Sequence, residues 1–317
     1  MAVTVAGCGG KREPTAGGGG DACVAGKGSI TIATGNSTGV YYVLGGGLAQ
    51  VISKNTELRA TAAETGASVQ NIEQLVSGTY DVAFSLADTA ADAVEGKESF
   101  DGPQPIRALT RLYPNTTHVV VNANAGIDSL EDMKGKTIST GSPKSGTEVI
   151  ANRLLEQAGL DPAKDVKAQR LDLTKTVDGM KDGSIDGLFW SGGLPTPAIT
   201  DLVTSQGDKV KFVDVTPQLP KMQEISTTYE EATIPKATYK TDEDVPTINV
   251  PNVLLVKDDF AEANACAITK LVFDKNADLA KVHPSAKQIT LDNARKTAPV
   301  ELHPGAVKAL DELKAPK

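Results

Sequence analysis

The sequence predicts an α/β protein built as two lobes, with a parallel-dominated sheet covered by helices. Three observations carry this. Strand-like and helix-like runs alternate from Ser29 onward, the pattern of a sheet with helices on its faces. The length of 317 residues exceeds a typical single core and suits two lobes of roughly 100–150 residues each. Glycine- and hydroxyl-rich turns recur where strands hand over to helices, the place where open α/β sheets hold ligands.

The elements follow in order. A strand at 30–34 carries Ile30 and Ile32, and the turn Thr34-Gly35-Asn36-Ser37-Thr38-Gly39 leads into a helix marked by Val40, Leu44, Leu48, Val51 and Ile52, a helical spacing. Such a turn presents free backbone N–H groups at the positive end of a helix dipole, a site suited to a carboxylate or phosphate. A strand at 60–63 precedes Thr65-Gly66-Ala67-Ser68 and a helix with Val69, Ile72, Leu75 and Val76, closed by Gly78. A strand at 81–85 is followed by Asp88 as an expected N-cap, then by strands at 106–111 and 118–122. The strand at 136–140 opens into Gly141-Ser142-Pro143-Lys144-Ser145-Gly146-Thr147-Glu148, where Ser145 and Glu148 have capping-box spacing. Ile150, Leu154 and Ala158 mark one face of that helix, and Gly159 ends it. The strand at 187–190 leads to Ser191-Gly192-Gly193-Leu194-Pro195-Thr196-Pro197, with Thr196 as N-cap and Pro197 at the first helical position. Strands at 211–215 and 253–257 complete the series. One such loop is ordinarily only a helix cap; several together predict a cleft shared by two lobes, a preferred place for small ligands.

Composition narrows the function. A net charge of −8 and the lack of any Lys/Arg cluster argue against a nucleic-acid partner. The histidines, His118, His283 and His303, are scattered and no CxxC or HExxH spacing occurs, so neither a metal nor another cofactor is expected. Gly35-Asn36-Ser37-Thr38-Gly39 matches the G-x-S-x-G nucleophile elbow, making a serine hydrolase built on Ser37 an alternative. The elbow, however, normally follows several strands rather than the first. Gly141 to Thr147 lacks the lysine that a P-loop places after its second glycine. The protein is therefore expected to be a binding protein and not an enzyme.

At the N-terminus, Val5-Ala6-Gly7-Cys8 resembles a bacterial lipobox without its preceding charged segment and long apolar core. Residues 1–28 are expected to be a truncated lipoprotein signal and a flexible Gly-rich tether, with Cys8 lipidated and the folded body outside the cytoplasm, held to the membrane. The remaining Cys23 and Cys266 are either a disulfide between tether and C-terminal part or two separate thiols, Cys266 being buried in a helix.

Seven blocks occur in order along the chain: TGNSTGVYYVLGGGLA at 34–49, ETGASVQNIEQLVSG at 64–78, the stretch from Leu112-Tyr113-Pro114 to His118-Val119-Val120-Val121, GSPKSGTEV at 141–149, DGLFWSGGLPTPAI at 186–199, DEDVPTINVPNVLLV at 242–256 and LHPGA at 302–306. Together the blocks resemble the TAXI family, the TRAP-associated extracytoplasmic immunogenic solute receptors, over nearly all of 29–313. The resemblance implies a type II periplasmic-binding-protein fold, with 29–117 plus 245–317 as one lobe and 118–244 as the other. It implies a TRAP-type membrane permease as partner and a small carboxylate of the glutamate, glutamine and 2-oxoglutarate class as ligand. It also implies contacts from Thr34, Gly35, Asn36, Ser37, Thr38, Tyr41, Gly66 and Ser68 in the first lobe, and from Ser145, Gly146, Thr147, Trp190, Gly192 and Pro195 in the second. Tyr41 and Trp190 would cover the apolar part of the ligand. A sensor or an ABC permease served by the same fold is the alternative partner. Where many members carry a Gln-Ser pair before an aspartate, this chain has Leu86-Ala87-Asp88, which implies a different ligand preference if that region lines the cleft.

Overall fold

The computed structural model describes residues 23–317; Cys8 and the tether up to residue 22 lie outside the described residues. The first part of the chain alternates as the sequence predicts: β1 (Gly28–Ala33), α1 (Val40–Asn55), β2 (Leu58–Ala63), α2 (Ser68–Val76), β3 (Val82–Leu86) and α3 (Ala87–Glu95). A long strand β4 (Ile106–Asn122) then leads to β5 (Thr137–Ser139), α4 (Gly146–Gln157), β6 (Lys167–Gln169), α5 (Leu173–Asp182), β7 (Gly187–Gly192) and α6 (Pro197–Gln206). After β8 (Val210–Phe212), α7 (Leu219–Ile225), β9 (Glu230–Ile234) and α8 (Lys236–Tyr239), a second long strand β10 (Val245–Lys257) returns to α9 (Glu262–Asp274), α10 (Asn276–Val282) and α11 (Pro304–Glu312).

The strands form one curled sheet in the order β2-β1-β3-β10-β4-β7-β5-β6, with β8 on β4 and β9 on β10. β1 runs parallel to β2 and β3, and β5 parallel to β6 and β7. Each parallel trio belongs to one lobe, and the antiparallel pair β4 and β10 passes through both. This is the two-lobe α/β architecture that the sequence predicts. β4 pairs with β10 up to Thr116 and with β7 from Thr116 onward, while β10 exchanges β9 for β3 between Asn249 and Asn252. In the middle of this exchange Pro114 stands opposite Pro251. We propose the lobe boundaries at these two prolines, a few residues from the 117/118 and 244/245 boundaries implied by the resemblance.

Several sequence expectations change, among them the strand expected at 253–257, which begins at Val245. The strands read separately at 106–111 and 118–122 are one strand of 17 residues. Pro114, which cannot donate to a ladder and so reads as a break, is tolerated because the residue opposite it is also a proline. Asp88 is not an N-cap: α3 begins at Ala87, and Asp88 lies fully buried in its first turn. β6 and β9 were not legible because they are short and mostly exposed, without an apolar alternation. By contrast, the Ser145 hydroxyl accepts from the Glu148 amide at 3.0 Å, as the capping box requires, and Pro197 opens α6 with Thr196 as its N-cap.

Apolar packing fixes the frame. Ile32, Leu44, Ile52, Phe84 and Ile268 make the core of the first lobe, and Val177, Leu188, Ile199 and Leu202 that of the second. A third core, with Ile72, Leu75, Ala90, Val119, Ile150 and Leu154, runs from α2 and α3 to α4 and so joins the lobes. Each such aliphatic side chain stabilises by about 1.5–3 kcal/mol when fully buried. Cys23 is joined to Cys266 of α9 in a disulfide, the Cα atoms 5.1 Å apart, and the Gly26 amide donates to Asn264 Oδ1 at 2.9 Å. The described N-terminal segment is thus fastened to the first lobe.

Candidate functional site

The predicted loops do converge. A cavity between the lobes is lined from one side by the loops before α1 and α2 and from the other by the loop before α4 and the end of β7. The N-termini of α1, α2 and α4 all point at it. Gly39 and Ala67, the N-caps of α1 and α2, supply no side-chain cap. The amides of Tyr41, Ser68, Gly146 and Thr147 have no acceptor among the described residues, as the first turn of a helix dictates. Three helix dipoles and these free donors make the cavity electropositive, yet among the described residues no Lys, Arg, Asp or Glu lines it.

Local geometry explains why small residues stand here. A Cβ on Gly146 would lie 2.5 Å from Leu86 Cδ1 and 2.7 Å from Ser68 Oγ, both across the cleft. A Cβ on Gly39 would lie 3.2 Å from the Trp190 ring of the other lobe. Ala67 adopts φ 87°, a costly conformation for a residue with a Cβ. It is held by hydrogen bonds from its amide to Thr65 Oγ1 at 3.1 Å and from the Asn71 amide to its carbonyl at 2.8 Å.

The floor is a buried polar network. The Tyr41 hydroxyl donates to Asn252 Oδ1; Asn252 Nδ2 donates to the Tyr113 carbonyl at 2.8 Å and to Asn115 Oδ1 at 2.9 Å; Asn115 Nδ2 donates to the Ser191 carbonyl at 3.3 Å. Burial holds the Tyr41 and Tyr113 hydroxyls well above their ordinary pKa, so both stay protonated. Two lining hydroxyls, Tyr113 Oη and Ser191 Oγ, are buried without a hydrogen-bond partner among the described residues. A buried polar group left unpaired costs about 1–3 kcal/mol, a cost that a ligand group reaching these two atoms would remove.

The lobes touch around this cavity. Asn36 Oδ1 accepts from Ser142 Oγ and from the Leu173 amide, each at 3.2 Å. The Gln70 amide donates to the Lys144 carbonyl at 3.0 Å, and Lys144 Nζ pairs with Glu73 at 2.8 Å. On the opposite flank His283 Nε2 donates to the Pro195 carbonyl at 3.1 Å, and Ser285 Oγ donates to the Leu194 carbonyl at 3.2 Å.

Of the residues singled out from the sequence, Gly35, Asn36, Tyr41, Gly66, Ser68, Ser145, Gly146, Thr147, Trp190 and Gly192 line the cavity. Thr34 does not: it is fully buried, and its hydroxyl donates to the Ala63 carbonyl at 2.6 Å. Ser37 and Thr38 line a separate surface groove with Thr174 and Pro197, because the Gly39 amide bonds back to the Asn36 carbonyl at 2.8 Å and turns them outward. Pro195 also lies off the cavity, its carbonyl taken by His283. Sequence reasoning missed Tyr113 and Asn115, whose shared face on β4 was hidden by Pro114 between them, and Ser142 and Ser191, which stood in the loops already singled out. Ser37 has no histidine beside it: His118 is bonded to Thr116 and Tyr239, His283 to Pro195 and Ser285, and His303 caps Gly305. The nucleophile elbow is therefore not assembled.

A family model described as the NMT1-like family matches residues 32–313. The chain belongs to the NMT1-like family. The match takes in both lobes and every cavity-lining residue. Solved structures share the fold. A binding protein component of an ABC phosphonate transporter from Pseudomonas aeruginosa is 15% identical, with 91% of this chain and 96% of that chain covered at a TM-score of 0.57. A protein of Bordetella bronchiseptica RB50 is 21% identical, with 90% and 89% covered at 0.56. The alkanesulfonate-binding protein of Xanthomonas axonopodis pv. citri, bound to MOPS, is 15% identical, with 93% and 96% covered at 0.50. This NMT1-like chain is thus a two-lobe binding-protein fold with its helix N-termini aimed into the cleft.

Proposed function

We propose that this NMT1-like protein is an extracytoplasmic solute-binding receptor that closes its lobes over a small carboxylate and delivers it to a membrane permease. One observation carries the reading: the buried hydroxyls of Tyr113 and Ser191 stand unpartnered in a cavity lined by both lobes. A carboxylate there accepts from the free amides at the starts of α2 and α4 and from these hydroxyls. Contacts made to both lobes stabilise the closed form over the open one, so binding drives closure. The ordered blocks shared with TAXI receptors support a TRAP-type permease as partner, Cys8 as the lipid anchor and the glutamate, glutamine and 2-oxoglutarate class as first ligands to try. An ABC permease is the second reading, favoured by the phosphonate and alkanesulfonate binding proteins that share the fold. Titration calorimetry with a panel of small carboxylates tests the receptor reading. Micromolar binding that weakens in Ser191→Ala supports it, and the absence of binding to every member overturns it. Co-purification with a TRAP or an ABC permease decides between the partners.

A further inference from the structure

We propose that the ligand carries one anionic group, no ammonium and no second carboxylate: a small mono-anionic acid with an apolar body. The inference rests on the receptor reading above and replaces the glutamate, glutamine and 2-oxoglutarate class named there with a simpler acid. A bound charge removed from water needs a partner; left unpaired it costs several kcal/mol. For one anion the cavity has partners, namely the free amides at the starts of α1, α2 and α4 and the unpartnered hydroxyls of Tyr113 and Ser191. For a second charge it has no ionised side chain of opposite sign among the described residues.

The ionisable groups around the cavity are all committed elsewhere. Lys144 pairs with Glu73 on the outer surface, and Glu148 pairs with Arg170. Asp88, behind Leu86, is bound by Arg153 and Tyr229. Glu64 accepts from the Ser37 amide on the outward turn of its loop. The amide acceptors are occupied as well, since Asn36 Oδ1 already accepts two hydrogen bonds and Asn115 Oδ1 accepts from Asn252; an ammonium would find only uncharged hydroxyl oxygens and no carboxylate. Apart from the neutral hydroxyls of Ser68, Ser142, Ser145 and Thr147, the rest of the lining is apolar, with Val40, Ala67, Leu86 and the rings of Tyr41 and Trp190. An amino acid or a dicarboxylate would bury one charge among these groups without a countercharge. A branched or straight aliphatic acid buries only methylenes there, each worth about 0.8 kcal/mol.

A matched series of equal chain length tests this on the full chain: pentanoate, glutarate, 5-aminopentanoate and pentanamide, with glutamate and 2-oxoglutarate beside them, by calorimetry and thermal melts. Pentanoate is expected to bind at least about tenfold tighter than glutarate, 5-aminopentanoate and glutamate, a difference of about 1.4 kcal/mol, and pentanamide to bind more weakly than pentanoate. Butane-1-sulfonate, run in parallel, shows whether the oxyanion is read as carboxylate or sulfonate, either of which keeps the single-charge rule. Glutamate, glutarate or 2-oxoglutarate binding as tightly as pentanoate overturns the inference and leaves the receptor reading standing. Equal binding of pentanamide overturns the anionic requirement. Binding of none of these overturns the inference and the carboxylate-receptor reading together.

Discussion

The guanidinium of Arg153 on α4 donates to both carboxylate oxygens of Asp92 on α3, at 2.7 and 2.8 Å, so that a helix of one lobe grips a helix of the other. Both side chains are nearly enclosed, 5% and 10% exposed. Arg153 also reaches Asp88 at 3.4 Å, and the Tyr229 hydroxyl donates to the same Asp88 oxygen at 2.6 Å. Burial lifts Asp92 to about 6 although Arg153 pulls it back. Arg153→Leu leaves these carboxylates buried without their cation, and urea unfolding at pH 7 is expected to show a loss of about 3–5 kcal/mol. The sign with pH follows. An acid whose folded pKa lies above its unfolded value stabilises most below the unfolded value and loses that contribution as pH rises through the folded one. The deficit of the variant is therefore expected to shrink as pH falls from 7 to 5; a deficit that grows would refute the assignment.

His118 gives the opposite slope. It is fully buried on β4, its Nδ1–H donating to the Thr116 carbonyl at 2.9 Å and its Nε2 accepting from Tyr239 at 2.8 Å. Burial lowers its pKa from 6.5 to about 4. Stability from the neutral ring is complete above 6.5 and is lost as pH falls through 4, on the order of 3 kcal/mol in all. Equilibrium unfolding from pH 7 to 4 is expected to be flatter by about that amount in His118→Asn than in the wild type.

Trp190 is the sole tryptophan, half-buried at the cleft, with its Nε1 donating to Thr196 Oγ1 at 3.0 Å. Its emission is expected to shift and to saturate with ligand, giving a direct titration. Trp190→Ala is expected to weaken binding by about 10- to 100-fold, the loss of part of an aromatic contact. An unchanged affinity would remove Trp190 from the ligand surface.

Gly146→Ala separates closure from folding. The added methyl has no room against Leu86 and Ser68 of the opposite lobe, but alanine is favourable at a helix start whose φ is not positive. Small-angle scattering is expected to show a more open particle at saturating ligand, with the unfolding midpoint of the free protein changed little.

The alternating order, the two lobes and the loops that face the cleft were all legible because strand and helix periods and capping residues act over a few neighbours. Ser145 and Glu148 announced α4 in this way, and Thr196 with Pro197 announced α6. What stayed hidden depends on partners distant in sequence. Asp88 read as a cap because nothing local reveals Arg153, 65 positions away. Ser37 and Thr38 read as contacts because their outward rotation is set by one backbone hydrogen bond. Tyr113 and Asn115 were invisible for the reason that also broke the strand in two: Pro114 looks like an end unless Pro251 is known to lie opposite.

That opposition of Pro114 and Pro251 has a mechanical meaning. Neither ring nitrogen carries a hydrogen, so the rung where the chain twice passes from lobe to lobe has no amide to donate. The pair is a crease scored across the sheet: folding along it breaks no ladder bond of its own. In the receptor reading, opening and shutting then draw their free energy from the contacts between the lobes: Asn36, Gln70 and Lys144 on one flank, His283 and Ser285 on the other, the Arg153–Asp92 pair and the shared core, and whatever lies in the cleft. In that reading a small solute would set the angle between the lobes without working against this rung of the backbone.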